Sequence, residues 1–426
     1  MTLLVIAAFF ILLIIGIPIS LVLGMTTILY FLLVGNPMLL VSTPMRLFTG
    51  LENFGLLAIP LFMLAGELMN AGGITGKLVK FSRVLIGHFR GGLAYVTVIS
   101  NMFLASILGS ANAQAAMMSK VMVPEMEKEG YTREFSASLT LASSIVAPMI
   151  PPSMIFIIYG TLSGTSIGGL FMAGIVPGIM YGLGFISLIA YLGYKNNFPK
   201  SERATGKEIL SSTLHVLPAL LVPFIIVYGI LSGMFTTTES AAMACLVAFL
   251  IGTFLYKQLK FKMAPKILIN TVISTATVTF LIAMANIFGW MIAFEQIPQT
   301  VANMMLSLSD NPLVFLLLLN LMLLLLGAIL DGIAALIILI PVLMPLVIAF
   351  QIDPIHFGII ICINLTIGLL TPPVGTGLFI VSSIANVKFE KLVVSIFPFL
   401  VMGIFVLLII TYWEGAVLFI PRMLGF

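Results

Sequence analysis

Apolar residues run through this chain in blocks too long for a strand or an ordinary core helix. Residues 2–34, 52–70, 135–163, 169–194, 209–232, 235–256, 267–294, 357–386 and 392–420 each read as a spanning helix. Two further apolar blocks cover 91–123 and 313–350. Polar residues gather at the joints. Two segments are less apolar. In "ITGKLVKFSRVLIGHFR" (74–90), Ile74, Leu78, Phe81, Leu85 and Phe89 share one helical face and the basic residues fall mostly elsewhere. This pattern predicts a helix lying in the membrane interface, and "EQIPQTVANMMLSLSD" (295–310) reads as its counterpart.

Charge orients the blocks. Lys77, Lys80, Arg83 and Arg90 form one basic cluster, and Lys128 and Arg133 a second. Lys195, Lys200, Arg203 and Lys207 form a third, Lys257, Lys260, Lys262 and Lys266 a fourth, Lys388 and Lys391 a fifth. The positive-inside rule places all five on the cytoplasmic side and the Lys/Arg-poor joints 36–51, 295–312 and 351–356 outside. Residues 91–123 then leave and return on the same side, as does 313–350. Both are expected to be re-entrant hairpins, with turns at "LGSANAQ" and "GAILDGIAA".

Composition agrees. The chain has 426 residues, 61% hydrophobic and 8% charged. About a quarter would be charged in a soluble domain. The expected fold is an all-α polytopic membrane protein. Cys245 and Cys362 lie in apolar runs and read as small hydrophobes. His88, His215 and His356 sit at expected interfaces and read as interfacial residues rather than ligands.

A shift of 221 residues superposes Pro151–Pro152 on Pro372–Pro373, Pro124 on Pro345, Pro177 on Pro398, Ser110 on Asp331 and Ser143 on Asn364. The matching joints fall on opposite sides, so the repeats are inverted. The expected layout is an N-terminal scaffold span in 1–51, a first repeat in 52–208, linking scaffold spans in 209–256 and a second repeat in 257–426. Inverted repeats with interrupted helices are a transporter signature.

The interruptions are "APMIPPS" (147–153) and "LLTPPVGTG" (369–377). Proline breaks the helical ladder and frees carbonyls that lipid would not solvate. Each break is expected to meet its own hairpin tip and form a hard-oxygen Na⁺ site. One site would use Ser110 and Asn112 with the backbone of Ala147, Ile150 and Pro152. The other would use Asp331 with Gly368, Thr371 and the backbone at Val374. The competing reading is a proline kink with small residues packing helices; two breaks in register, each with a polar tip, favour the ion sites. Gln114, Gly375 and Thr376 are assigned to the substrate path. Glu239 either caps its helix behind Thr236–Thr238 or takes part in transport.

The stretch "LGSANAQAAMMSKVMVPEMEKEGYTREFSASLTLASSIVAPMIPPSMIFIIYG" resembles the large membrane subunit of tripartite ATP-independent periplasmic (TRAP) transporters. So do "IPLFMLAGELMNAGGIT" (59–75), "GMFTTTESAA" (233–242) and "LDGIAALIILIPVLMPL" with "LTPPVGTGLFI". The resemblance implies a Na⁺-coupled, elevator-type importer in a bacterial inner membrane. It implies two partners, a small four-helix membrane subunit and a periplasmic substrate-binding protein. It implies small organic anions, such as sialic acid or C4-dicarboxylates, as substrates. It also puts Ser166 and Glu239 near the substrate path. The family motif often carries an acid after the first tip, where Gln114 stands here.

No GxxxxGK[ST] loop occurs in the sequence, so the expected energy source is the Na⁺ gradient. An enzyme is not expected. An intramembrane aspartyl protease needs two embedded aspartates, and only Asp331 lies well inside an apolar run. A serine protease would need a deep histidine. The remaining alternative is a Na⁺/dicarboxylate symporter that works without a binding protein.

Overall fold

The computed structural model describes residues 2–35, 37–200, 203–300 and 311–426. The described secondary structure is helical apart from one isolated bridge between Arg90 and Lys200. Among the described residues, eight helices are long and apolar enough to cross a membrane.

The N-terminal block is not one span. Helix α1 (Thr2–Ile14) ends before Gly16, whose φ of +88° suits glycine, and α2 (Ile19–Val34) restarts after Pro18. The segment expected as the loop 36–51 is largely helix α3 (Pro37–Thr49). Its Leu39 and Thr43 are buried, and α3 packs on α2 and α13, which is why it folds. Next come α4 (Ala58–Ala71) and the interfacial α5 (Ile74–Ile86). Helix α5 buries Ile74, Thr75, Leu78 and Ser82 against α6 and α11. Leu85 and Phe89, expected on that face, are exposed.

Helices α6 (Gly92–Leu108) and α7 (Ala111–Lys128) form a helical pair joined at Gly109–Ser110. Helix α7 runs past the expected end at 123 and carries Pro124 within it. The first interrupted helix is α8 (Arg133–Ser144) and α9 (Met154–Ser163). After α10 (Ile167–Lys195), α11 (Gly206–Leu231), α12 (Thr237–Leu250) and α13 (Ala264–Phe294), the pattern returns. Helices α14 (Pro312–Ile329) and α15 (Gly332–Ala349) pair, joined at Leu330–Asp331. The second interrupted helix is α16 (Pro354–Gly368) and α17 (Thr376–Ala385). The last apolar block divides into α18 (Phe389–Tyr412) and α19 (Glu414–Met423), parted at Trp413. The helix expected over 295–310 lies, from residue 301 on, outside the described residues.

Packing is reciprocal between the two similar halves. Helix α7 lies on α8, and α14 and α15 lie on α16. The second half of each interrupted helix crosses to the other repeat: α9 packs on α15, and α17 on α7. Helix α18 packs on α8, as α10 does on α16. Helices α2, α4 and α13 pack together outside this core, and α11 and α12 join them through α4 and α5.

His356, expected at an interface, is buried, with Nε2 2.9 Å from the Ile410 carbonyl. Asp353 caps α16 through the Ile355 and His356 N–H groups, and this turn tucks His356 under α18.

Candidate functional site

The two tips and the two breaks converge. A cavity of about 50 Å³ is lined by Ser110, Asn112, Pro148, Asp331, Thr366 and Leu369, with neighbours from both tips. Residues expected in two separate sites therefore share one space. Each tip is placed by a cap. The Ser110 hydroxyl accepts from Ala113 N–H at 3.5 Å, and Asp331 Oδ2 accepts from Ile333 N–H at 3.1 Å. Asp331 is exposed, and among the described residues it has no ion-pair partner.

Close backbone approach holds tips to breaks. A Cβ on Gly109 would lie 3.1 Å from the Pro152 carbonyl oxygen. At the second tip Gly327 and Gly368 touch backbone to backbone; a Cβ on Gly368 would lie 2.3 Å from the Gly327 carbonyl carbon. The Gly375 N–H donates to the Ala328 carbonyl at 2.9 Å. At the cavity the first tip meets the second break, where Asn112 Nδ2 donates to Thr376 Oγ1 at 3.3 Å.

The donor set suits a small hard cation. Asn112 Oδ1 is buried at the cavity and has no hydrogen-bond partner among the described residues. Among the described residues no backbone hydrogen bond ends on the carbonyls of Ala147, Ile150 or Pro152. In the second break, a point one bond from Gly375 Cα has the Thr371 oxygen at 2.9 Å and the Leu369 oxygen at 3.0 Å. Carbonyls converging beside a glycine, with one carboxylate nearby, match the oxygen ligands of Na⁺ sites in interrupted helices. Several expected ligands lie elsewhere: Ala147, Ile150 and Pro152 do not line the cavity. The Gly368 carbonyl already accepts from Thr371 N–H at 3.0 Å, and Thr371 and Val374 do not line the cavity.

Gln114, assigned to the substrate path, is fully buried and donates to Asn101 O at 2.7 Å and Oδ1 at 2.9 Å. It ties α7 to α6 and does not line the cavity. Glu239 is exposed and completes a capping box, accepting from Thr236 N–H at 2.7 Å while Thr236 Oγ1 accepts from Glu239 N–H at 3.2 Å. Ser166 caps α10 and lines a different cavity, of about 450 Å³, with Asn53, Thr161 and Thr236. Thr366, Leu369, Gly109 and Asn101 were not singled out in the sequence. Gly109 lies beside Ser110 and could have been, since the tip turn needs a positive φ; the others are long-range partners with no local mark.

Residues 6–416 match the family described as "Tripartite ATP-independent periplasmic transporter, DctM component". The chain is 38% identical to the sialic acid TRAP transporter large permease SiaM of Vibrio cholerae, covering 92% of each chain. It is 39% identical to the 2,3-diketo-L-gulonate TRAP transporter large permease YiaN of Escherichia coli, over 88% of each. It is 35% identical to the C4-dicarboxylate TRAP transporter large permease DctM of Pseudomonas aeruginosa, over 94% of this chain and 93% of that one. Its fold is similar to the Alcanivorax borkumensis YdaH transporter, with a TM-score of 0.65 at 12% identity over 88% of each chain. With its interrupted helices, its paired tips and this match along nearly its whole length, the chain belongs to the large permease family of TRAP transporters, and it is a membrane transport protein rather than an enzyme.

Proposed function

We propose that the chain imports a small organic anion by coupling it to Na⁺, working with a small membrane subunit and a periplasmic binding protein. The observation that carries this reading is the convergence of Asn112 and Asp331 from the two tips with Pro148 and Leu369 from the two breaks on one cavity. A space of about 50 Å³ holds one or two waters or an ion, and is far below the 300 Å³ or more that an organic ligand fills. The tips must therefore part to admit the anion. The α7 and α15 N-termini at the tips would then present N–H groups to its carboxylate. A cation among the carbonyls would offset the Asp331 charge and lower the cost of moving the tips through the membrane.

The pairs α6–α7 and α14–α15 act as re-entrant hairpins in this reading. They move with the interrupted helices against a scaffold of α2, α4, α11, α12 and α13, as an elevator. Relatives named for sialic acid, diketogulonate, C4-dicarboxylates and isethionate support a small organic anion as the substrate class. The test is uptake by proteoliposomes holding both membrane subunits and the binding protein, with labelled sialic acid and labelled succinate offered in turn. Uptake of either that stops when external Na⁺ is replaced by choline supports the reading. Uptake indifferent to Na⁺ refutes the coupling, and uptake indifferent to the binding protein makes the chain an independent symporter.

A further inference from the structure

Another polar cavity lies where α5 meets the start of α11. It holds about 380 Å³ and is lined by Lys77, Lys80, Lys207, Ser211 and His215, with Glu208 as its acidic member. Three lysines against one carboxylate leave it cationic. The carboxylate is already engaged, since Glu208 Oε2 accepts from the Thr205 N–H and hydroxyl, both at 2.8 Å. The nearby Arg83, Lys128, Arg133 and Lys391 each pair with a glutamate. Among the described residues, Lys77, Lys80 and Lys207 form no such pair. Lys77 is held in place instead, with its Nζ 4.4 Å from the Tyr256 ring centre. Tyr256 is itself fixed by a 2.6 Å bond to the His215 carbonyl.

The surroundings decide what this charge faces. Lys/Arg-rich joints put the cavity at the cytoplasmic membrane surface. Next to it, Leu210, Leu214, Leu217 and Leu221 form an exposed apolar row along one side of α11. A cationic cavity at headgroup depth, with an exposed apolar row about a third of a turn around the same helix, matches an amphiphile with a phosphate head. We infer that the α5–α11 cavity binds the phosphate of an anionic phospholipid whose acyl chains lie along the leucine row. The lipid would brace the interfacial helix α5 against the scaffold helix α11. Basic pockets between helices on the cytoplasmic side are known settings for such headgroups.

The test uses the full chain, purified in detergent, delipidated, and titrated with phosphatidylglycerol, with phosphatidylcholine or with inorganic phosphate. Bound lipid is read by native mass spectrometry and by the shift in melting temperature. Phosphatidylglycerol is expected to bind and stabilise, and phosphatidylcholine and millimolar phosphate are not. The triple variant Lys77→Gln, Lys80→Gln, Lys207→Gln should bind phosphatidylglycerol on the order of 100-fold more weakly. Replacing the same three by arginine should preserve binding, as should Lys195→Gln, Lys262→Gln, Lys266→Gln, which removes equal charge elsewhere on that side. Equal loss in the two glutamine triples would reduce the effect to general surface charge and overturn the site. Stabilisation by inorganic phosphate alone would make it a soluble-anion site and overturn the lipid. Wild-type lipid binding in the Lys77/Lys80/Lys207 glutamine triple would overturn both.

Discussion

Asn364 donates its side-chain amide to Asn320 Oδ1 at 2.6 Å, tying the second interrupted helix to the first arm of its own hairpin. The other half has the same tie in different residues: Asn101 on α6 donates to Ser143 Oγ on α8 at 2.5 Å. Ser143 and Asn364 are the positions that the 221-residue shift superposes. All four side chains are almost wholly buried. A polar lock therefore sits one layer below each tip, where slippage of hairpin against break would change the cavity.

Removing one partner takes the shortest side-chain bond from a buried polar group. Asn320→Ala removes the 2.6 Å bond from Asn364 and the 3.0 Å bond to Thr411 Oγ1, and leaves the Asn364 amide only its 3.3 Å bond to the backbone carbonyl of residue 320. The expected cost is ~1–2 kcal/mol, at the strong end for polar bonds between membrane helices. Thermal unfolding in detergent should show it, and a double-mutant cycle with Asn364→Ala should return most of that energy as coupling. Additive losses would mean the lock is not energetic.

Gly368→Ala tests whether tip and break must touch. The added methyl would meet Gly327 backbone, which cannot swing aside as a side chain can. Overpacking of this kind costs roughly 1–3 kcal/mol. Helix content by circular dichroism is expected to persist, while uptake falls at least about tenfold. Wild-type uptake would show that the close approach is dispensable.

The repeat and both breaks were legible because proline and glycine leave local marks: Pro151–Pro152 and Pro372–Pro373 share one register. Ser110 and Asp331 stood out as polar residues in apolar runs, and both line the cavity. The meeting of the two tips at one cavity was hidden. It depends on α9 crossing to α15 and α17 to α7, and such crossings have no signature in either segment. Helix α3 was missed for a different reason. Its few charges and its two prolines, Pro37 and Pro44, read as a loop until packing on α13 is known. Gln114 illustrates the same limit, since a lone amide near a tip can face the cavity or its own hairpin, and only the fold chooses.

Glu239 separates capping from mechanism. The carboxylate accepts from the Thr236 N–H, and a glutamine amide oxygen can do the same. Glu239→Gln should therefore keep both stability and uptake, whereas Glu239→Ala should lower the melting temperature slightly. Loss of uptake in Glu239→Gln with stability intact would assign the charge a role in transport.

Acid should loosen the cytoplasmic end of the first hairpin. The hydrogen bond from Lys128, then the Lys128 and Arg83 charges, holds the Glu125 carboxyl below its usual range. A lowered folded pKa adds stability above the unfolded value, and that stability is lost as pH falls through the folded one. The pair is partly exposed, so the effect is small, under about 1 kcal/mol. Hydrogen exchange of residues 124–130 should quicken between pH 5 and pH 3 in the wild type, and Glu125→Gln should flatten that rise. Equal quickening in both would remove Glu125 from the account.

The most direct test is the Na⁺ dependence of initial uptake in proteoliposomes, compared between wild type and Asn112→Ala. The unpartnered Asn112 Oδ1 at the cavity is expected to be an ion ligand. Its loss should raise the half-saturating Na⁺ concentration about tenfold, the equivalent of ~1.4 kcal/mol, with uptake recovering at high Na⁺. An unchanged Na⁺ dependence in Asn112→Ala, with uptake otherwise intact, would contradict an ion site at the convergence of the tips and breaks.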